Sequence, residues 1–531
     1  MTATTETAPT PVRVETAPSR REGWPWFVGL VVLCVASVPV MLHYGRRQWF
    51  FLDEWSFLVN RSLAHPHTLF EPHNGHWVTV PAIVYRVLFS IWGLNTYRPY
   101  QLGSILTHAA VVLLVWCVMR RLGVRPWIAT FAAAALVFYG SGSGNILFGF
   151  QITLTGAVAC GLVQLLLADH DGGIDRRDVI GLIVGFVGLM CSGVAVAMVA
   201  MVGVAALLRR GWRAAAFHAG PLAVAYLVWY VRFPSNTARD YSFGFGTLQF
   251  VGEMGRSVFV DLGQNRVVAA ALIALAFVGL GWAVYQARLD HSLRPLALPL
   301  ALVAGFLAFA WVTAVARVSV GGVTSAGSDR YVDVATALLL PLIALGIEVL
   351  GRRQILIAAA SLVLLAVGVP GNINLLANTS PYTRGQPDYV KAAAHSPLLS
   401  QLPADMRIRI TDFAPELAPT AGWLRQETAA GRIPRPSHPT PQVLLLTDLL
   451  LAVRPAADGQ RACPASSAPR RLLVKRGDQL NYSGAILVHA ISGTARSTGI
   501  PFNNQLGRLD VVAGPIQLLI TGVRGQPPRI C

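Results

Sequence analysis

Apolar residues dominate long runs of this chain, and short polar stretches rich in Arg divide one run from the next. An apolar stretch of roughly 18 or more residues with few charges is long enough for a helix to cross the hydrocarbon core of a bilayer. The pattern predicts membrane helices at about Trp26–Leu42, Pro99–Val118, Trp127–Tyr139, Leu147–Leu167, Val179–Met190, Val194–Leu208, Pro221–Val231, Val267–Tyr285, Leu296–Val315, Val332–Leu350 and Ile355–Val369, about eleven in all. Val78–Leu94 is also apolar, but it contains Pro81 and Arg86, and counting it as a span would invert every later Arg cluster. It is expected to lie in the outer interface or to pack within the protein.

From about Pro370 the pattern changes to Pro, Ser, Thr, Asn and charged residues around short β-type runs at Arg407–Phe413, Arg471–Lys475, Ala485–Ile491, Leu509–Val512 and Ile516–Val523. The expected division is a disordered cytoplasmic N-terminus over 1–24, a transmembrane domain over 25–372 and a soluble, mostly β, exoplasmic domain over 373–531. For the last, a sugar-binding sandwich and a structural cap both fit.

Composition agrees with a polytopic α-helical membrane protein. Of 531 residues 54% are hydrophobic and only 13% charged, whereas 43 Lys+Arg against 26 Asp+Glu leave a net charge of +17. A soluble protein has about a quarter of its residues charged. The basic residues form short clusters at the ends of apolar runs and not one patch, which argues against a nucleic-acid partner and for topology signals. Arg20/Arg21, Arg120/Arg121/Arg125, Arg176/Arg177, Arg209/Arg210/Arg213, Arg288/Arg294 and Arg352/Arg353 fall in every second connection. The positive-inside rule then places the N-terminus in the cytoplasm and the tail outside. Arg46/Arg47 and the Arg residues between Arg232 and Arg266 sit on the wrong side of this scheme. Cys463 and Cys531, the two Cys of the tail, are expected to lie close enough to pair in an oxidising compartment.

Candidate chemistry concentrates in the first outer loop. Asp53 and Glu54 are adjacent carboxylates among aromatic and aliphatic residues just past the first helix, and Glu71-Pro72-His73-Asn74-Gly75-His76-Trp77 follows. His73 and His76 would share one face if helical, and could offer nitrogen ligands to a metal or hydrogen bonds to a sugar. Competing readings are a helix cap for the acidic pair, structural hydrogen bonding for the histidines, and an aromatic belt for Trp49, Trp55 and Trp77. The loop from Arg232 to Arg266, with Arg239, Asp240, Glu253 and Arg256, is long enough to wall a substrate site.

An acidic pair directly after the first membrane helix, followed by a His-Asn-x-His-Trp segment leading into an apolar helix, resembles the first exoplasmic loop of bacterial GT-C glycosyltransferases. Ser328-Asp329-Arg330-Tyr331 resembles the Arg-Tyr element many of them carry before a late helix. The resemblance implies inverting sugar transfer on the outer face of the plasma membrane. The donor would be a polyprenyl-phosphate-linked sugar, and the acceptor a cell-envelope polysaccharide or glycolipid. It implies Asp53 as general base, with Glu54 the second candidate catalytic residue. His73, Asn74, His76, Trp77, Arg330 and Tyr331 would bind substrate, and a divalent metal (Mg, Mn or Ca) is a candidate cofactor at Glu54, His73 and His76. Arg330 could equally be a helix-end anchor. The abundance of Arg, Ala, Val, Gly and Leu suggests a GC-rich bacterial genome, for which arabinose or mannose would be plausible sugars through the resemblance. A transporter or flippase of lipid-linked sugars, or a non-catalytic envelope-assembly protein, is the alternative. Transport predicts charges near mid-span and paired broken helices, whereas here the polar motifs gather on one face.

Overall fold

The computed structural model describes residues 20–235, 243–352, 354–380, 386–408, 418–456, 463–464, 468–523 and 527–531. Every one of the predicted apolar runs is helical. Among the described residues eight helices are long and apolar enough to cross a membrane: Gly23–Arg47, Arg98–Arg121, Gly149–Ala168, Trp212–Arg232, Arg266–Leu289, Arg294–Gly321, Asp329–Gly351 and Ile355–Ala377. Three expected spans are shorter helices, Pro126–Val137 (12 residues), Arg176–Leu189 (14) and Val194–Arg210 (17). The chain is thus a polytopic helical membrane protein. The first helix begins at Arg20, inside the segment expected to be disordered. Arg239, Asp240, Arg353 and Phe413 lie outside the described residues.

Burial ranks the helices by position. The apolar window of Gly23–Arg47 is 22% buried, with Val28, Val32 and Val35 exposed as on a lipid-facing surface, whereas that of Asp329–Gly351 is 89% buried. Asp329–Gly351 is therefore the central pillar, and Arg330 stands at its start. The helix Thr79–Trp92 has 14 residues, about 21 Å at 1.5 Å per residue and too short to span. It packs within the protein, where Arg86 donates to the Leu58 carbonyl and its guanidinium lies over Phe89.

Among its described residues the tail is a single sheet and not a sandwich. It forms one antiparallel sheet of β1 (Val453–Ala456), β2 (Arg470–Val474), β3 (Gln479–Ser492), β4 (Ala495–Arg496), β5 (Ile500–Val511) and β6 (Ile516–Gly522), in the order β1-β5-β3-β6-β2 with β4 paired to β3. Helices fill the place a second sheet would take. Pro441–Ala452 packs on the sheet and Gln386–His395 packs against that helix. Alternation along β6 explains this, since Ile516, Leu518 and Ile520 are buried and Gln517 is exposed. Cys463 and Cys531 form a disulfide with their Cα atoms 5.5 Å apart.

The first loop and the tail share one apolar core. Trp49, Phe50, Trp55, Phe57 and Leu69 belong to the same cluster as Val390, Leu449, Val488 and Ile520. Trp423 of the tail meets Trp55 edge-on at 6.3 Å and stacks on Phe89 at 5.6 Å. Both segments therefore lie at the same end of the helical bundle.

Candidate functional site

Asp53 opens a seven-residue helix, Asp53–Val59, entered through a sharp bend at Leu52 (φ 38°, ψ −104°). A positive φ is rare for a branched residue, and such backbone costs about 1–3 kcal/mol unless its surroundings enforce it. Glu54 supplies the enforcement: its Oε2 accepts from Phe51 N–H at 2.8 Å, across the bend. Oε1 accepts from the hydroxyls of Tyr85 (2.5 Å) and Tyr97 (2.8 Å), and the Tyr97 oxygen in turn accepts from Gly149 N–H at 2.8 Å. Glu54 is fully buried. Burial pushes its carboxyl up to about 8, against the pull of the Tyr85, Phe51 and Tyr97 donors and with the Asp53 charge adding to the rise. Glu54 is thus a clasp inside the protein, turned away from the histidines expected to share a metal with it.

Asp53 points the other way. Its Oδ1 accepts from Asn74 Nδ2 at 3.2 Å and lies 2.9 Å from His73 Nε2, while 28% of its side chain stays exposed. Burial raises its pKa, but the His73 hydrogen bond and charge, the Asn74 bond and the Arg330 charge outweigh it, so the carboxyl sits below its usual value. Both hydrogen bonds go to one oxygen, which leaves Oδ2 available to a ligand.

His73 and His76 are not on a helix. They pair as the ends of a two-residue turn, with His73 N–H to His76 O at 3.0 Å and His76 N–H to His73 O at 2.9 Å. Asn74 and Gly75 both have positive φ (50° and 71°), which is the type I′ turn that Asn-Gly favours. The turn carries the Asn74 amide and the His73 ring to the same oxygen of Asp53.

These residues line a cavity of about 740 Å³ together with Arg317, Arg330 and Tyr331. Of the residues expected to bind substrate, His73, Asn74, His76, Arg330 and Tyr331 meet there, while Trp77 does not. Trp77 is buried, stacked on Trp229 at 5.2 Å with its Nε1 donating to Thr79. Trp49 and Trp55 are buried as well, so no aromatic belt forms from these three. The glycine opposite the turn matters: a Cβ on Gly193 would stand 2.4 Å from His76 Nδ1.

Arg330 is set by the turn 140–145. Asp329 Oδ2 accepts from Gly144 N–H at 3.0 Å, in space that a Cβ on Gly144 would fill, and Asn145 Nδ2 donates to the Arg330 carbonyl at 3.0 Å. The Arg330 guanidinium lies over the Tyr331 ring at 5.1 Å, and its Nε is buried without a hydrogen-bond partner among the described residues. Neither Arg317 nor Arg330 has a carboxylate in salt-bridge range among those residues. Arg317 had no motif to mark it. Its only signal was an Arg at a helix end where the positive-inside pattern does not call for one.

The Glu54, His73 and His76 set expected to hold a divalent metal is not brought together. Glu54 faces its tyrosines, and Asp53 Oδ1 is shared by His73 and Asn74. Among the described residues the three-ligand group that converges is His170, Asp175 and Asp178 at the other end of the bundle, where Arg210 and His218 already hold Asp178.

No known family's sequence profile matches the chain, and no curated protein matches it. Among solved structures it is similar to ArnT from Cupriavidus metallidurans. The apo structure is 15% identical, with 77% of this chain and 89% of that chain covered and a TM-score of 0.43. The structure bound to undecaprenyl phosphate is 15% identical with 72% and 82% covered and a TM-score of 0.43. What the cavity of the present chain does rests on its own residues.

Proposed function

We propose that this protein is an inverting glycosyltransferase that moves a sugar from a polyprenyl-phosphate donor to a cell-envelope glycan or lipid acceptor. One observation carries the reading: a positioned carboxylate and two arginines without carboxylate partners line one cavity, whose remaining wall is largely apolar. That wall includes Val194, Val196, Phe309, Val312, Val315 and Val320, of which Val196, Val312 and Val320 are exposed. A prenyl chain can therefore lie against it in contact with the bilayer.

Asp53 Oδ2 takes the proton of the acceptor hydroxyl as its oxygen attacks the anomeric carbon. The bond from that carbon to the phosphate oxygen breaks, and the electron pair leaves with the polyprenyl phosphate. Arg330 and Arg317 meet the charge that develops on the phosphate, where a guanidinium can engage two oxygens at once. His73 and Asn74 are positioning residues that fix the Asp53 carboxylate, and Glu54 fixes the bend that presents it. The cavity end is the exoplasmic end: the Arg clusters that mark cytoplasmic connections lie at the other, and the disulfide of the tail suits an oxidising compartment.

Purified protein incubated with a panel of polyprenyl-phosphate sugars and an envelope glycan acceptor should release polyprenyl phosphate and glycosylate the acceptor. A donor-dependent product absent from every combination would contradict the reading. A reporter fused at about Ala456 tests orientation separately, and cytoplasmic activity there would remove the exoplasmic assignment.

A further inference from the structure

We propose a second ligand site at the opposite end of the bundle, a pocket for the phosphate headgroup of an anionic phospholipid. A cavity of about 460 Å³ opens there, lined by Arg121, Arg209 and Arg294 at its rim and by Trp282, Leu298 and Leu345 deeper in. Its position follows from three helices that carry the two cavities at opposite ends. Val194–Arg210 gives Val194 to the large cavity and Arg209 to the small one. Arg294–Gly321 gives Val320 and Leu298, and Asp329–Gly351 gives Arg330 and Leu345. Residues 194 and 209 alone are about 22 Å apart along their helix at 1.5 Å per residue.

The rim is cationic and incompletely engaged. Arg121 donates to the Asp169 carbonyl at 2.9 Å, Arg209 Nη1 meets Asp169 Oδ1 at 2.9 Å, and Arg294 reaches Asp171 only at 3.9 Å. Arg209 also reaches Asp171, through Nη2 at 3.4 Å and Nε at 3.3 Å, so it is largely engaged within the protein, whereas Arg121 and Arg294 keep most of their five N–H donors for a ligand. The side chains of Arg121 and Arg294 are 47% and 64% exposed. Asp290 is the one carboxylate of the lining, and the Arg352 guanidinium, 3.8 Å from Glu348, lies over the Trp282 ring at 4.8 Å.

Depth chooses the source of the phosphate. Trp282 lies seven residues before the end of Arg266–Leu289, and Leu345 six before the end of Asp329–Gly351, about 9–10 Å into the bilayer from the arginine rim. A soluble phosphate would use the rim and leave the apolar floor empty. A phospholipid uses both, and basic pockets between membrane helices on the cytoplasmic side hold anionic headgroups in this way.

Native mass spectrometry of the full chain, with phosphatidylglycerol, phosphatidylcholine or inorganic phosphate added, tests the site. Wild type should retain phosphatidylglycerol, and Arg121→Gln/Arg294→Gln should weaken that retention at least fivefold, while Arg46→Gln/Arg47→Gln at the other end should not. Arg294→Gln alone, at an exposed and weakly paired position, should lower retention in the same direction if the double variant fails to fold. Equal retention of phosphatidylcholine, unchanged retention in the Arg121 and Arg294 variants, or equal competition by inorganic phosphate would each overturn the proposal. Lipid retention is read without sugar transfer, so its outcome is independent of the proposed activity.

Discussion

Arg210 and Arg330 stand at opposite ends of the bundle and live by different rules. Arg210 is almost fully buried and its Nη2 meets Asp178 Oδ2 at 3.0 Å, while His218 Nε2 lies 2.9 Å from the other oxygen of the same carboxylate. At the cavity, Arg317 and Arg330 face space with no carboxylate in reach among the described residues, although Asp53 is near enough for the Arg330 charge to lower its pKa. A buried charge that the protein itself neutralises holds helices together, whereas one left without a partner beside a cavity is positioned for a charge that arrives from outside. Arg210 is therefore structural, whereas Arg330, in the proposed reaction, is directed at substrate.

Asp178 carries the largest expected effect. Asp178→Asn leaves Arg210 and His218 without their anion and should cost about 3–5 kcal/mol of stability, read as a lower melting temperature and folded yield, with turnover per folded molecule nearly unchanged. Arg330→Ala should do the reverse. Transfer should fall about 10²–10³-fold with melting close to wild type, and Arg330→Lys should restore only part of the loss because an ammonium cannot copy the bidentate fork. A stability loss for Arg330→Ala as large as for Asp178→Asn would erase the distinction.

Glu54 belongs with the structural class despite its place beside Asp53. Glu54→Gln should cost about 1–3 kcal/mol, because an amide nitrogen would oppose either Phe51 N–H or the tyrosine hydroxyls. Its pH signature has a definite sign. A carboxyl raised in the folded state to about 8 contributes stability that is fully present below its unfolded value of about 4.3 and is lost as pH rises toward 8. Melting curves between those limits should fall with pH in wild type and show less slope in Glu54→Gln.

His73→Ala is the mildest of these changes, about a tenfold loss in turnover. It should also move the acid limb of the pH–rate profile upward. Asp53 is held below the usual carboxylate value with His73 as the leading opponent of burial, so wild-type activity should fail only when pH drops through that lowered pKa. An acid limb in His73→Ala at the wild-type pH would mean that His73 does not tune Asp53.

Much of this arrangement was legible from the chain. Runs of apolar residues marked the helices because a bilayer leaves the backbone few other choices, and Asp53, His73, Asn74, His76, Arg330 and Tyr331 do line one cavity. Phe245–Gly263 was missed because Glu253, Arg256 and Asp261 interrupt its apolar pattern. The turn at His73–His76 was readable from Asn-Gly, yet the three-residue spacing of the histidines suggested a helix. Asp53 and Glu54 could not be told apart in sequence, since which carboxylate turns inward depends on Tyr85 and Tyr97, more than thirty residues away. Trp77 found a stacking partner in Trp229, a long-range contact with no local signal.

In the proposed reaction Asp53 is the base and the arginine-lined cavity holds a polyprenyl phosphate. Polyprenyl-phosphate release by wild type and Asp53→Asn, measured with a donor that wild type turns over and alongside donor binding to each, tests it most directly. Asp53→Asn should bind the donor within a few fold of wild type, melt normally and lose at least about 10³-fold in release. Near-normal release by Asp53→Asn would contradict it and place the base elsewhere.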